Sequence, residues 1–275
     1  MDYSKLVLLT PKNDEESLQI VKIAEAAGIP LLVSTQPHGA KLELEKDLVE
    51  RVREVNQEAT TIVIVEIPGV KEEEALRSAG FEVEVIDHHR YAELDRMQTK
   101  SSLEQFLVKF EINDNRLAEL GFEAEMVRGV GIIDRGFLWV LRAEVPDKEL
   151  AKRMRDYYRG LTVELGKENK DVDAVAAEAW ALREVVNDVL IVRTEREDVP
   201  FRAAISFLVA DNYDAPPATI VVEGKRRISV QESNHAPELF AAYGGFMFGG
   251  ELCWGIQATT ERALPEVAEI VARLS

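Results

Sequence analysis

Cysteine, histidine and positive charge are scarce in this chain of 275 residues. The single cysteine, Cys253, cannot form an internal disulfide, so we expect a reducing, cytoplasmic location. No apolar run approaches the roughly 20 residues that span a bilayer. The N-terminal stretch has no basic lead followed by a small-residue cleavage site. We therefore expect neither a membrane protein nor a secreted one.

The charge of the chain restricts its partners. The formal net charge is −17 at pH 7, whereas broad binding of duplex nucleic acid needs a basic surface. A small anionic substrate held by a metal ion or a local arginine cluster is still compatible with this charge. The chain is 46% hydrophobic and 30% charged, which is typical of a globular protein, and its length fits two modest domains.

Short apolar runs alternate with amphipathic segments through the first 90 residues. This alternation is typical of βαβ units and of a mostly parallel sheet. The predicted strands cover residues 5–9, 29–34, 60–69 and 81–89. We predict an α/β domain over residues 1–150, linking helices over 151–187, and a smaller α/β domain with a mixed sheet over 188–275.

Polar residues follow three of the predicted strands where these end. They are the loop at residues 10–17, then Glu66, then the triplet Asp87, His88 and His89, which contains two of the four histidines. Ligands of parallel sheets bind beyond the carboxyl ends of the strands, so we expect a site there. The triplet could also be a hydrogen-bonded turn without a metal, and Glu66 could simply face solvent.

The segment IDHH at residues 86–89 resembles the motif of the DHH phosphoesterase superfamily. Three further elements resemble that family's pattern in the same order along the chain. They are KSSLEQF at 100–106, GVGIIDRGF at 129–137, and RISVQES at 227–233 followed by AAYGGFMFGG at 241–250. The resemblance covers most of the chain and implies a DHH-like domain followed by a DHH-associated C-terminal domain.

The resemblance implies a metal centre, because members of this superfamily hold two divalent cations, usually manganese, and hydrolyse phosphate esters. Carried over by motif, His88, Asp134 and Glu66 are predicted metal ligands. Asp14 is a further predicted ligand if its loop shifts register. His89 is predicted to contact the phosphate, and Asp87 to orient the histidine pair as a hydrogen-bond acceptor.

The resemblance also implies a substrate-binding face in the second domain. The residues predicted to bind substrate there are Arg227, Gly244, Gly245, Gly249 and Gly250. The basic run at residues 225–227 could equally be a solvated hairpin. The expected ligand is a small phosphodiester, a nucleotide or a short oligonucleotide in a cleft between the domains, and a homodimer is left open.

The chain departs from the family pattern at several positions. Thr10 stands where the family has a histidine, and Pro11 and Asn13 fall where it has aspartates. Glu66 replaces an aspartate, and Glu251 follows the glycines where the family has a histidine. These departures predict one Mn²⁺ (or Mg²⁺) rather than two. Two hypotheses follow: a divergent metal-dependent phosphoesterase, or a catalytically inactive protein of this fold that binds a ligand or acts as a scaffold.

Overall fold

The computed structural model describes residues 3–91, 94–167, 171–249 and 252–275. The strands in these ranges are β1 (Leu6–Pro11), β2 (Leu31–Ser34), β3 (Thr61–Val65), β4 (Glu82–Ile86), β5 (Glu184–Val186), β6 (Val189–Thr194), β7 (Thr219–Glu223), β8 (Arg227–Gln231), β9 (Phe246–Phe248) and β10 (Cys253–Gln257). The helices are α1 (Glu15–Ala27), α2 (Leu48–Val55), α3 (Val70–Ser78), α4 (Ser102–Lys109), α5 (Asp114–Glu119), α6 (Ala124–Glu144), α7 (Lys148–Glu164), α8 (Val172–Ala181), α9 (Arg202–Asn212), α10 (Ala236–Tyr243) and α11 (Val267–Leu274). No helix within the described ranges is long and apolar enough to cross a membrane.

The chain divides into two compact units. The first unit runs to Arg135 and also contains α7, and its sheet has the order β2-β1-β3-β4. All of these strands pair in parallel, as the alternating sequence pattern predicts. The first unit therefore confirms the predicted parallel α/β architecture.

Strand β1 shows why this sheet is buried on both faces. Successive side chains of a strand point to opposite faces. Leu6 and Leu8 pack into a core with α1, α4, α6 and α7, whereas Val7 and Leu9 pack into a second core with α2 and α3. Because both faces are covered, the strand is apolar along its length, and functional polar groups are confined to the sheet edge where the strands end.

The second unit consists of Gly136–Glu144 and the chain from α8 onward. Its sheet has the order β5-β6-β7-β8-β10-β9, in which β6 and β7 pair in parallel and the other neighbours pair antiparallel. Helices α8 and α9 cover one face, and α10 and α11 cover the other. This mixed sheet confirms the fold class predicted for the C-terminal part.

The linking helices predicted up to residue 187 end earlier in the structure. Helix α8 ends at Ala181, and Glu184–Val186 form β5, which pairs antiparallel with β6. The turn between these strands is Asn187-Asp188, with φ of 50° and 64°. Two consecutive left-handed residues match the twist of a tight hairpin, and Asn and Asp tolerate that conformation. The hairpin therefore overrides the helical pattern at this point.

Candidate metal centre

The carboxyl ends of β3 and β4 bring two polar segments together. Glu66 directly follows β3, and Asp87 directly follows β4. The backbone N–H of Glu66 donates to the carbonyl of Ile86 at 3.0 Å, which holds the two strand ends side by side. Glu66 has a φ of 52°, a left-handed conformation that is uncommon for a residue other than glycine. Such strain tends to occur at functional sites.

Four side chains converge at this edge: Glu16 from α1, Glu66 after β3, His88 after β4 and Asp134 from α6. Each offers one donor atom, and these atoms all lie within 4.8 Å of one another. The Nε2 atom of His88 lies 2.9 Å from Asp134 Oδ2, 3.2 Å from Glu66 Oε1 and 3.8 Å from Glu16 Oε2. The structure thus brings together three of the predicted metal ligands and adds Glu16.

Three of the atoms that could bind a metal ion are buried and have no hydrogen-bond partner in the described part of the chain. They are Glu16 Oε2, Glu66 Oε1 and His88 Nε2. The short approach of His88 to Asp134 therefore lacks hydrogen-bond geometry. Leaving a buried polar group unsatisfied costs about 1–3 kcal/mol, and more when the group is charged. A cation bound among the four groups would satisfy all of these atoms at once.

The donor set fits a hard divalent cation. Three carboxylates and one imidazole suit Mn²⁺, and the carboxylates also suit Mg²⁺. Among the described residues, only one further group of possible metal ligands has its ligand atoms this close together. That group overlaps the first and consists of Glu66, His88 and His89. The candidate centre therefore lies at one place in the first unit.

Crowding of carboxylates perturbs the ionisation of the cluster. Burial raises the pKa of Glu16 well above its usual value, and the negative charges of Asp134 and Glu66 raise it further. Burial alone would lower the pKa of His88, but the adjacent Asp134 and Glu66 carboxylates outweigh it and raise that pKa to about 10. Without a cation, bound protons therefore offset the negative charge of the cluster.

Glu16 is the residue that the sequence analysis missed. It lies in the first turn of α1, and its Oε1 accepts from the backbone N–H of Leu103 at 2.7 Å, at the start of α4. This bond fixes the carboxylate so that Oε2 remains for the cluster. No motif or strand end marks Glu16 in the sequence.

The predicted ligand Asp14 is not among the four clustered groups. It is the N-cap of α1, and its side chain accepts from the backbone N–H of Ser17 at 2.8 Å. Its other carboxylate oxygen lies 3.7 Å from Nδ1 of His38. The structure thus places Glu16, rather than Asp14, beside His88, because the capping box of α1 fixes where the helix begins.

Two glycines explain how α6 carries Asp134 into the cluster. A Cβ at Gly129 would lie 2.6 Å from the Met154 side chain, and one at Gly131 would lie 2.8 Å from Ser101 Oγ. The absence of a side chain at both positions lets α6 approach α7 and the start of α4 closely. The small residues ahead of Asp134 therefore have a packing role that sets the position of its carboxylate.

Asp87 and His89 form a hydrogen-bonded pair beside the cluster. Asp87 is 3% exposed and accepts from the His89 backbone N–H at 3.0 Å, from His89 Nδ1 at 3.1 Å and from Tyr91 Oη at 2.9 Å. Burial opposes ionisation, but these bonds from His89 and Tyr91 lower the pKa of Asp87 below its usual value. The His89 side chain is 44% exposed. The contacts of Asp87 are thus with His89 rather than with His88.

The predicted substrate residues of the second domain lie in the second unit. The guanidinium of Arg227 is ion-paired with the buried Glu223 across β7 and β8. The carbonyl of Gly244 accepts from Trp254 Nε1 at 2.7 Å. Gly245 and Gly249 both have positive φ, of 97° and 60°. Gly250 and Glu251 lie outside the described residues, and substrate binding by this segment stays a prediction.

No family model matches the chain, and no curated protein matches it. Solved structures do match over nearly its full length. Exonuclease RecJ bound to manganese is 14% identical, with 99% of this chain and 89% of that chain covered and a TM-score of 0.43. The pGpG-specific phosphodiesterase PggH from Vibrio cholerae is 12% identical, with 99% and 97% covered and a TM-score of 0.44.

An uncharacterised protein from Helicobacter pylori G27 also matches, at 9% identity, with 98% of this chain and 97% of that chain covered and a TM-score of 0.30. By name, the first two of these proteins are an exonuclease and a phosphodiesterase. The chain also resembles the DHH phosphoesterases in the order of its motifs. Likeness at this level carries no activity across, so the site's own residues have to support what is proposed for it.

Proposed function

We propose that the first unit binds one divalent cation, Mn²⁺ or Mg²⁺, through Glu16, Glu66, His88 and Asp134, and hydrolyses a small phosphodiester or nucleotide. The observation that carries this proposal is the convergence of buried donor atoms that have no hydrogen-bond partner in the described structure. The chemistry that such a cation supplies is polarisation of a phosphoryl oxygen and activation of water for attack on phosphorus.

His89 supports this reaction from beside the metal centre. Burial alone would lower the pKa of His89, but its hydrogen bond to Asp87 outweighs this and raises the pKa, which favours the charged imidazolium. The bond from Nδ1 to Asp87 leaves Nε2, on the opposite edge of the ring, as a donor. His89 therefore holds a proton at Nε2, where it contacts a phosphate oxygen, and Asp87 orients the ring.

The residues in place of the first motif favour a single cation. Thr10 is fully buried, and its hydroxyl donates to the carbonyl of Pro11 at 3.3 Å. Asn13 donates through its side-chain amide to the carbonyl of Pro37 at 3.0 Å. The Thr10 bond stays within β1 and the Asn13 amide bonds to the loop after β2, so neither group is directed toward a second metal site.

The decisive experiment is a calorimetric titration of Mn²⁺ into the metal-stripped protein. We expect one ion to bind the wild type, and we expect His88→Ala and Asp134→Asn to abolish that binding. His235→Ala is a matched control, because this histidine lies in the second unit, 3.2 Å from Glu238. Binding of two ions would refute the single-cation centre, and no binding would refute the metal-dependent function.

Catalysis is then tested with the same variants. The manganese-loaded protein is incubated with pGpG and with bis(p-nitrophenyl) phosphate, and the release of product is followed. Turnover that disappears in His88→Ala and persists in His235→Ala supports the phosphoesterase. The site of hydrolysis is identified by chromatography of the products.

The second candidate is a catalytically inactive protein of this fold that binds a ligand or acts as a scaffold. The buried Thr10 and the loop-bonded Asn13 favour it, because a single cation lacks the second ion of a two-metal displacement. It predicts no turnover with Mn²⁺ or Mg²⁺, together with nucleotide binding that survives His88→Ala. Nucleotide binding is measured in the same calorimeter, which separates the two candidates.

A further inference from the structure

A third histidine, His38, lies at the sheet edge that carries the metal centre. It follows β2, which pairs in parallel with β1 through Pro11 and Ser34. The carboxyl ends of both strands therefore open onto one edge of the sheet. His38 Nδ1 lies 3.7 Å from Asp14 Oδ2, and the His38 side chain is 81% exposed.

The loop that carries His38 is held by hydrogen bonds to the residues that flank it. The side-chain amide of Gln36 pairs with the backbone of Lys41, accepting from its N–H and donating to its carbonyl, both at 3.0 Å. Glu45 Oε1 accepts from Ser34 Oγ and from Gln36 Nε2, both at 2.5 Å. Arg51 pairs with the other oxygen of Glu45 at 2.6 Å. Such supporting bonds are what hold a functional side chain in a defined place.

The same loop is also tied to the loop that precedes α1. Asn13 Nδ2 donates to the carbonyl of Pro37 at 3.0 Å, directly before His38. Asp14, next along the chain, faces the imidazole. Asn13 thus holds the backbone that precedes His38, and Asp14 lies on the Nδ1 side of the imidazole.

The negative charge of the metal centre means that an anionic substrate needs positively charged side chains nearby. The three carboxylates of the centre and a divalent ion leave one negative charge when His88 is neutral. An anionic substrate would be repelled unless positive groups lie close by. The neighbouring Arg96 is paired with Glu73, and Arg135 donates to Glu104 at 3.0 Å. The imidazoles of His89 and His38 are two groups near this edge of the sheet that can donate to an anion.

We infer that His38 is a phosphate-binding residue of this site. Asp14 orients the ring through Nδ1, and Nε2 on the opposite edge donates to an oxygen of a phosphate group on the substrate. The inference rests on the proposed function, since it places His38 on the substrate of the same metal centre. It names a phosphate contact that comes from the loop after β2, outside every motif that the sequence analysis used.

The electrostatics of His38 agree with this role. The Asp14 carboxylate, 3.7 Å from Nδ1, raises the pKa of His38 above its usual value.

The test uses the small number of histidines, because four imidazoles give four resolvable sets of carbon-bound proton signals. Inorganic phosphate is titrated into the magnesium-loaded and the metal-free protein at constant pH and matched ionic strength with chloride. Signals are assigned with single His→Ala variants. We expect the His38 signal to shift saturably with phosphate and the His235 signal to stay in place.

Affinity is measured on the variants by calorimetry. His38→Ala is expected to weaken phosphate binding about tenfold, the loss of one charge-assisted hydrogen bond. His38→Arg is expected to retain most of the affinity, because it keeps a charged donor. His235→Ala is expected to match the wild type. Mg²⁺ affinity should be the same in His38→Ala and the wild type, because His38 is not a metal ligand.

Two outcomes would overturn the inference. A His38 signal that does not move at saturating phosphate would do so, and so would wild-type phosphate affinity in His38→Ala. Failure of the wild type to bind Mn²⁺ or Mg²⁺ would instead refute the proposed metal function. The response of the His38 signal to phosphate in the metal-free protein would still decide whether this residue binds phosphate.

Discussion

Replacing Glu16 by Gln should separate stability from metal binding. In the metal-free protein Glu16 Oε2 is buried without a hydrogen-bond partner in the described structure, and the Asp134 and Glu66 carboxylates lie close enough to raise its pKa. A glutamine keeps the acceptor for the Leu103 N–H and directs an amide donor toward those carboxylates. We therefore expect Glu16→Gln to stabilise the metal-free protein.

The size of this stabilisation follows from the cost of leaving Glu16 Oε2 buried without a hydrogen-bond partner. Satisfying a buried polar atom is worth about 1–3 kcal/mol. For a domain of this size, each kcal/mol raises the melting temperature by about 2–4 °C, so the expected rise is roughly 2–12 °C. At a Mn²⁺ concentration of about 100 times its dissociation constant, the wild type should gain about 2.7 kcal/mol.

The variant should lose most of that gain. Two unit charges 4 Å apart interact by about 4 kcal/mol at an effective dielectric constant of 20, and the ion is divalent. We expect Mn²⁺ affinity to fall roughly 100-fold or more, since a tenfold change corresponds to about 1.4 kcal/mol. At the same Mn²⁺ concentration the stabilisation would then be about 0.4 kcal/mol or less.

The assay is differential scanning calorimetry with and without Mn²⁺. Glu15→Gln is the matched control, because Glu15 is the neighbouring residue in α1 and its carboxylate already accepts from Thr162 Oγ1 at 2.6 Å and from Tyr158 Oη at 3.3 Å. That variant should gain no stability and should keep the full Mn²⁺ shift. A less stable metal-free Glu16→Gln protein, or one with an intact Mn²⁺ shift, would refute the reasoning.

Three further predictions follow from the site and the second unit. Binding of Mn²⁺ should release protons near neutral pH and strengthen as pH rises. The reason is that the pKa of His88 is raised to about 10 and that of Glu16 is raised in the metal-free protein, whereas ligation needs both groups deprotonated. Titration calorimetry in buffers of different ionisation enthalpy measures this, and proton uptake would contradict it. Asp87→Asn should destabilise the protein by about 1–3 kcal/mol at neutral pH, because its carboxylate accepts three hydrogen bonds. The pKa of Asp87 is lowered by folding, so this stability is present above the unfolded pKa of about 4 and is lost as pH falls through the folded pKa. Denaturant titrations of wild type and variant between pH 2 and 7 should therefore converge at the acid end. Gly245→Ala should destabilise the second unit by about 3 kcal/mol or more, because φ is 97° and the added Cβ would lie 2.2 Å from the carbonyl oxygen of Gly255. Its melting temperature should fall while Mn²⁺ binding persists, and an unchanged melting temperature would count against the close approach.

The fold was predictable because it follows from local patterns of apolar residues in the sequence. The run Leu6–Leu9 is apolar on both faces, which requires cover on both sides and hence helices in the crossovers between parallel strands. The change of pattern in the second half predicted a mixed sheet there. The short elements were less predictable: β5 depends on its pairing with β6, which no local pattern reveals.

The candidate centre was predictable only where a motif or a strand end marks it. Glu66, His88 and Asp134 were found in this way. Glu16 was not, because its place depends on where the capping box begins α1 and on a hydrogen bond from Leu103, which lies 87 positions away in sequence. The position of His38 depends on the hydrogen bonds that hold its loop. Such residues are set by contacts between distant segments, and these contacts exist only in the folded chain.

The division of the chain has a consequence for the order in which its parts are made. Helix α6 leaves the first unit after Arg135, and α7 returns to it. From α7, Tyr157 donates to Gln19 at 2.7 Å and Thr162 donates to Glu15 at 2.6 Å, both on α1. The first unit is therefore not a contiguous module. We therefore expect that during synthesis this unit does not close until α7 has left the ribosome. A fragment that stops after α6 would lack the partners that satisfy these polar groups of α1.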